Sequence, residues 1–316
     1  MERSEYRDVV IHARTLRQSD MQSSLWLLRA ICVTGVSVSL SLSTHPLIWL
    51  AGQLLYIAAL YNWFSLLHDT GHGTFFRSTP LNYLIGFISS MFILLPFEPW
   101  RVVHKEHHKW TGYMDLDPTK SSSSPDQLSP AIRKLCDLVW KYWIPFFTPA
   151  FAATVFWNPK LTAKYAENRR EQVLQIVSLL VIAVPYLVLT LLFGVQFLKL
   201  WLVGLVVALI LGDPFLLSQH TYLPWQNSTD SQDVVRTKSH RLQDEFTRQL
   251  IFPEWISKYV LMNFDKHVAH HLVPHVPCYY LDQVKVNNAT EMHWVDWYVR
   301  AKRIPGHVLL CDYGTV

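Results

Sequence analysis

Four apolar stretches of bilayer length constrain this chain more than any other feature. They run from Leu25 to Leu42, from Leu47 to Leu67, from Val173 to Phe193 (with Pro185 inside) and from Phe197 to Leu217. A bilayer core is ~30 Å thick and takes about 20 helical residues, so each stretch is long enough to cross. Only His45-Pro46 and its neighbours separate the first two, and Gly194 and its neighbours the last two. Such short turns read as two antiparallel helical hairpins. Composition agrees. Half of the 316 residues are apolar and mean hydropathy is +0.14. Charged residues make up 16%, against about 25% in an ordinary soluble domain. The expected fold class is an all-α integral membrane protein.

A fifth apolar stretch, Leu81 to Phe97, is shorter and carries Gly86 and Pro96. Charge decides how to read it. Segment 98–172 holds eleven Lys or Arg and segment 218–316 holds ten, whereas the hairpin turns hold none apart from Lys199 just past the second. Basic residues close to spans mark the cytoplasmic side. Both segments and the N-terminus then face the cytoplasm only if 81–97 dips in and returns, or lies in the interface. Irregular backbone at membrane depth is tolerated where protein covers it. The expected organisation is a polar N-terminal segment (1–24) without a signal-peptide pattern, and a first hairpin (25–67). Then follow a cytoplasmic segment containing the re-entrant stretch (68–172), a second hairpin (173–217) and a cytoplasmic cap (218–316). The serine-rich turn Ser121–Pro125 interrupts the third of these. Sequons at Asn227-Ser228-Thr229 and Asn288-Ala289-Thr290 fall on the cytoplasmic side and read as unused.

Several classes of function drop out. A net charge of +4, without a basic run interleaved with aromatics, argues against nucleic-acid binding. Cys32, Cys136, Cys278 and Cys311 stand far apart and form no CxxC, which argues against a disulfide framework and a thiolate zinc site. There is no CxxCH for haem attachment and no GxGxxG, so any electrons must come from a separate donor.

Fifteen histidines are the unusual count, and eight of them fall in three windows: His68-x-x-x-His72, His104-x-x-His107-His108 and His267-x-x-His270-His271. Spacings of i, i+3 and i+4 put imidazoles on one face of a helix. Gly71, inside the first window, predicts some local irregularity. All three windows map to one side of the membrane. Imidazole is the commonest metal ligand, and eight exceed what one ion can take, so the count asks for two metals. Alone, each cluster could be a solvated face; their shared compartment is what carries the metal reading.

The three windows, in this order and spacing, resemble the histidine boxes of the membrane fatty acid desaturases and their hydroxylase relatives. His68-Asp69 with His72, Gly73 and Phe75-Phe76 looks like the first box. His267-Val268-Ala269-His270-His271-Leu272, followed by Pro274, Pro277 and Tyr279, is similar to the third box of acyl-lipid desaturases. The resemblance spans roughly Leu47 to Leu281. It implies a centre of two iron ions (Fe2+) held by these eight histidines and by a lone one after the last span, here His220. It also implies oxidation of an acyl chain with dioxygen. His275 reads as a neighbour of the ligands or a surface residue, and His12, His45, His240, His293 and His307 receive no role. Asp69 and Asp265, both within two residues of a box histidine, are the favoured carboxylates to orient the ligands, ahead of Glu106, Asp115 and Asp117. Trp63, Phe64, Phe75, Phe76, Trp100, Trp110, Phe215 and Tyr222 are candidates to line an acyl tunnel. A ferredoxin or a cytochrome of the b5 type would supply electrons, docking on a basic face of Lys105, Lys109, Arg133, Lys134, Arg169 and Arg170. Hydroxylation, acetylenic bond formation and carotenoid oxidation remain open on the same scaffold. A metal transporter would keep its histidines inside the spans, and a zinc hydrolase would need a general base as in HExxH.

Overall fold

The structure is a computed structural model, describing residues 1–120, 128–228 and 240–311. The Ser121–Pro125 turn and Thr229 of the first sequon lie outside the described residues. The chain is mostly helical: α1 (Arg3–Ala13), α2 (Asp20–Ser41), α3 (Pro46–His72), α4 (Thr79–Ile93), α5 (Phe97–Trp110), α6 (Pro130–Lys141), α7 (Phe147–Phe151), α8 (Pro159–Thr162), α9 (Arg169–Phe193), α10 (Val195–Ser218), α11 (His267–Leu272), α12 (Trp294–Arg303) and α13 (Gly306–Cys311). Among the described residues the strands are few. Gln249–Ile251 and Glu291–His293 pair as two short parallel strands in the C-terminal segment.

Four helices, α2, α3, α9 and α10, are long and apolar enough to cross a membrane. They extend the apolar stretches by a few polar residues at their ends. Their outer faces carry large side chains turned outward, such as Leu191 at 76% exposed. A belt of exposed leucine on long helices is what lipid contact requires and water disfavours. Polar side chains tie the inner faces together. Gln53 of α3 donates to the Ser41 hydroxyl of α2 (2.8 Å) and accepts from the Gly204 amide of α10 (2.9 Å). Trp63 donates to Thr34 at 2.8 Å, a second link from α3 to α2. Each bond satisfies a polar group that would otherwise stand bare in an apolar layer.

The fifth apolar stretch is not one straight helix. It breaks at Leu94–Pro96, where Leu94 takes a left-handed φ of 56° and Pro96 precedes α5. The pair α4 and α5 bends by 103°. Gly86 makes this corner possible, because a Cβ there would lie 2.3 Å from the Phe97 ring, which is fully buried against it. The bend turns α5, and the second histidine window on it, back alongside the end of α3.

The C-terminal segment closes over these helix ends. Arg248 donates to the carbonyls of Ser218 (3.0 Å) and Thr221 (2.9 Å), capping orphan carbonyls after α10. Asp213 of α10 accepts from three successive amides, Phe146, Phe147 and Thr148, at 2.8 to 3.1 Å. It thereby anchors the start of α7 and of the π-helical turn Ala152–Phe156 that continues it.

Candidate metal centre

Helix α3 runs unbroken through Gly71, contrary to the expected irregularity, and ends at a left-handed Gly73. The glycine serves packing instead, since a Cβ at 71 would meet the Trp100 ring at 2.4 Å. That close approach seats α5 against α3. The Trp100 ring stacks on His104 with centroids 4.3 Å apart, fixing that imidazole over the first window.

All nine sequence-selected histidines converge. His68, His72, His104, His108 and His270 form one group, with donor atoms within 4.8 Å of one another. Within it, His104 Nε2 lies 3.1, 3.0 and 3.1 Å from Nε2 of His68, His72 and His108. His107, His220 and His271 form a second group. His267 joins it, its Nε2 being 2.8 Å from that of His220. The groups touch where His108 and His271 stack at 4.2 Å. The windows therefore interleave: the second and third each contribute to both groups.

Tautomers test whether metal ions fit here. His107 Nδ1 faces Asp117 Oδ2 at 2.7 Å, and His220 Nδ1 faces the Phe246 carbonyl at 2.9 Å. Both partners only accept, so each ring carries its proton on Nδ1 and a bare lone pair on Nε2. Those two Nε2 atoms lie 3.1 Å apart with no hydrogen to share. Facing lone pairs at that distance repel unless a cation stands near both. His271 Nε2 is likewise buried, with no hydrogen-bond partner among the described residues. Burial, with neighbouring imidazoles adding to it, pushes the pKa of His220, His267, His270 and His271 well below 6.5, so these rings are neutral and able to ligate. The donor set fits two metal ions.

The supporting carboxylates differ from their sequence ranking. Asp117, fully buried, makes the strong bond to His107, with Thr119 donating to its other oxygen at 2.8 Å. Asp69 approaches His68 Nδ1 only at 3.5 Å and chiefly accepts the Cys278 amide at 2.6 Å. Asp265 bonds Ser257 (2.7 Å) and Lys266 (3.3 Å), and no bond to a histidine is found for it among the described residues. Burial raises its pKa. Glu106 takes Lys109 and Trp110, and Asp115 takes Ser228. Gln243, which no local pattern marks, bonds His271 Nδ1 at 2.7 Å.

Two cavities lie beside the groups. One, of about 240 Å³, is lined by His68, His104, His107, His220 and His267. The other, of about 510 Å³, lies between α3, α10 and α7 and is almost wholly apolar. Phe64, Leu95, Thr148, Ala152 and Leu216 line both, so the two adjoin. Of the aromatic candidates, Phe64, Trp100 and Phe215 line this space. Trp63 instead stacks on Phe92, and Phe75 packs with Phe76 and with Tyr279. On the basic face, Lys105 pairs with Glu167 and Lys109 with Glu106.

Comparison with known proteins sets this geometry in a family. The family model "Fatty acid desaturase" matches residues 44–303. The chain is 24% identical over 253 residues to the sn-1 oleoyl-lipid 12-desaturase of Picosynechococcus sp., covering 77% of this chain and 69% of that protein. It is 28% identical over 284 residues to the chloroplastic omega-3 fatty acid desaturase of Sesamum indicum, covering 84% of this chain and 59% of that protein. Over 73 residues it is 40% identical to the sn-1 acyl-lipid omega-3 desaturase (ferredoxin) of Synechocystis sp., covering 23% and 19%. With the match running across most of its length, the chain belongs to the fatty acid desaturase family of oxidoreductases.

Proposed function

We propose that this protein is a membrane fatty acyl desaturase that introduces a carbon–carbon double bond into the acyl chain of a lipid, using dioxygen and two external electrons. The observation that carries the reading is the convergence of nine imidazoles in two adjacent groups, five of them lining a cavity that adjoins an apolar one. A metal transporter would instead need ligands along a conduit through the spans.

In this reading α2–α3 and α9–α10 are two transmembrane hairpins, and α4 with α5 enters the membrane and returns. Both termini and the histidine cap then face the cytoplasm. His68, His72, His104, His108 and His270 would hold one iron ion, and His107, His220, His267 and His271 the other. Iron bound there would supply the dioxygen chemistry that removes hydrogen from an unactivated methylene. The balance closes with two hydrogens leaving the chain, two electrons and two protons arriving, and dioxygen leaving as two waters.

The chain's own residues do the rest. Phe64, Leu95 and Phe215 exclude water from the acyl chain and hold it in one line. Asp117 and the Phe246 carbonyl keep the protons of His107 and His220 on Nδ1, leaving Nε2 free to ligate. Electrons come from a separate donor, a ferredoxin or a cytochrome of the b5 type. Relatives whose names specify ferredoxin favour the former.

Fatty acid profiling of a host expressing the wild type beside His107→Ala tests the proposal. New unsaturated acyl chains are expected with the wild type alone. A product that gains oxygen would overturn desaturation in favour of hydroxylation, and unchanged lipids in both strains would overturn the reading.

A further inference from the structure

Gln243 lies in the short 3-10 segment His240–Phe246 and is completely buried. Its amide touches both histidine groups. Nε2 donates to the backbone carbonyl of His108 at 2.6 Å, and Oε1 faces Nδ1 of His271 at 2.7 Å. Thr247 donates to the Gln243 carbonyl at 2.8 Å, pinning the residue's own backbone.

The chemistry of these contacts leaves one arrangement. A carbonyl cannot donate, so the amide nitrogen must be the atom facing His108. That aims Oε1 at His271. An amide oxygen accepts only, so His271 carries its proton on Nδ1 and its lone pair on Nε2. Nε2 is the buried His271 atom that lacks a protein partner. One side chain thus fixes the tautomer of a ligand in the four-histidine group and the backbone position of a ligand in the five-histidine group. It does so at the contact where the His108 and His271 rings stack.

We infer that Gln243 is a positioning residue that couples the two metal sites, holding His271 in its ligating tautomer and clamping the end of α5 that bears His108. The inference rests on the metal reading proposed above. It predicts distinct effects for two substitutions. Gln243→Leu removes both bonds. Gln243→Glu, of nearly the same shape, keeps an acceptor for His271 but sets a carboxylate oxygen against the His108 carbonyl.

The test uses the chain purified in detergent and loaded with cobalt(II), followed by visible absorption, metal stoichiometry and release to a chelator. The wild type should bind two cobalt ions. Loss of an outer-shell partner typically weakens metal affinity about 10–100-fold. Gln243→Leu should therefore release both ions faster by about that factor, with an altered spectrum. Gln243→Glu should accelerate one release phase and leave the other near the wild-type rate. Should Gln243→Leu fail to fold, Gln243→Glu carries the test alone.

Wild-type spectra and release rates in a folded Gln243→Leu protein would overturn the inference. So would a Gln243→Glu protein whose phases both match the wild type. A Gln243→Leu variant that only lowers the Tm of the metal-free protein would make the residue merely structural. A wild type that binds no cobalt would overturn the metal reading itself, an outcome distinct from the variant results.

Discussion

The residue that most sharpens the centre is Asp117, which hydrogen-bonds His107 from a fully buried position. Asp117→Asn keeps the shape but replaces the charge-assisted acceptor. Product formation and metal affinity should fall about 10–100-fold while the protein still folds, as metal analysis beside product analysis would check. The neutral imidazoles carry a second prediction, for the metal-free protein. His220, His267, His270 and His271 have folded-state pKa values well below the ordinary 6.5. Below pH 6.5 the unfolded chain therefore takes up protons that the folded chain does not. Stability should be flat above that pH and fall beneath it, visible as a declining Tm on acidification. The box histidines were legible in the sequence because their spacing is local. Their supports were not. Asp265 is two residues from His267 yet turns to Ser257, whereas Asp117, ten residues beyond His107, closes back upon it. Sequence distance does not report direction once the chain leaves a helix. Gln243 and the Phe246 carbonyl reach the site only through tertiary closure, and a backbone carbonyl has no sequence signature at all.

At the scale of elements, the long helices were visible from hydropathy because lipid selects for apolar side chains on every outward face. The corner between α4 and α5 was visible as Pro96 and as a charge argument, but its angle was not, since it depends on the Phe97 ring fitting over Gly86. Least legible was the segment from Phe146 to Trp157. It has too few residues to announce itself as a span, yet it walls both cavities, held at its start by the Asp213 carboxylate and at its end by Trp157 donating to the Leu94 carbonyl. Ala152 lines both cavities. Ala152→Trp should fill the space beside it and abolish product formation with bound metal unchanged. Product analysis and metal content of the same preparation check it, and loss of metal would place the damage elsewhere.

At the scale of the whole molecule, the proposed topology puts every histidine window on one side. Single-cysteine variants in a background with the four native cysteines replaced provide the check. Thr44→Cys, in the exposed turn between α2 and α3, should react with an impermeant thiol reagent added outside intact cells. Lys285→Cys, exposed in the C-terminal segment, should react only after lysis. The reverse pattern would invert the protein in the membrane.

Phe64 and His68 sit on one helix, α3, a single turn apart, about 6 Å along its axis. A hydrocarbon resting on that phenyl ring is thus measured against the imidazole by a rigid rod, and loop motion elsewhere leaves the interval unchanged. Under the proposed function carbon counting would start from α3: sliding this helix by one residue would move wall and ligand together, whereas resizing the side chain at 64 would reset the ruler.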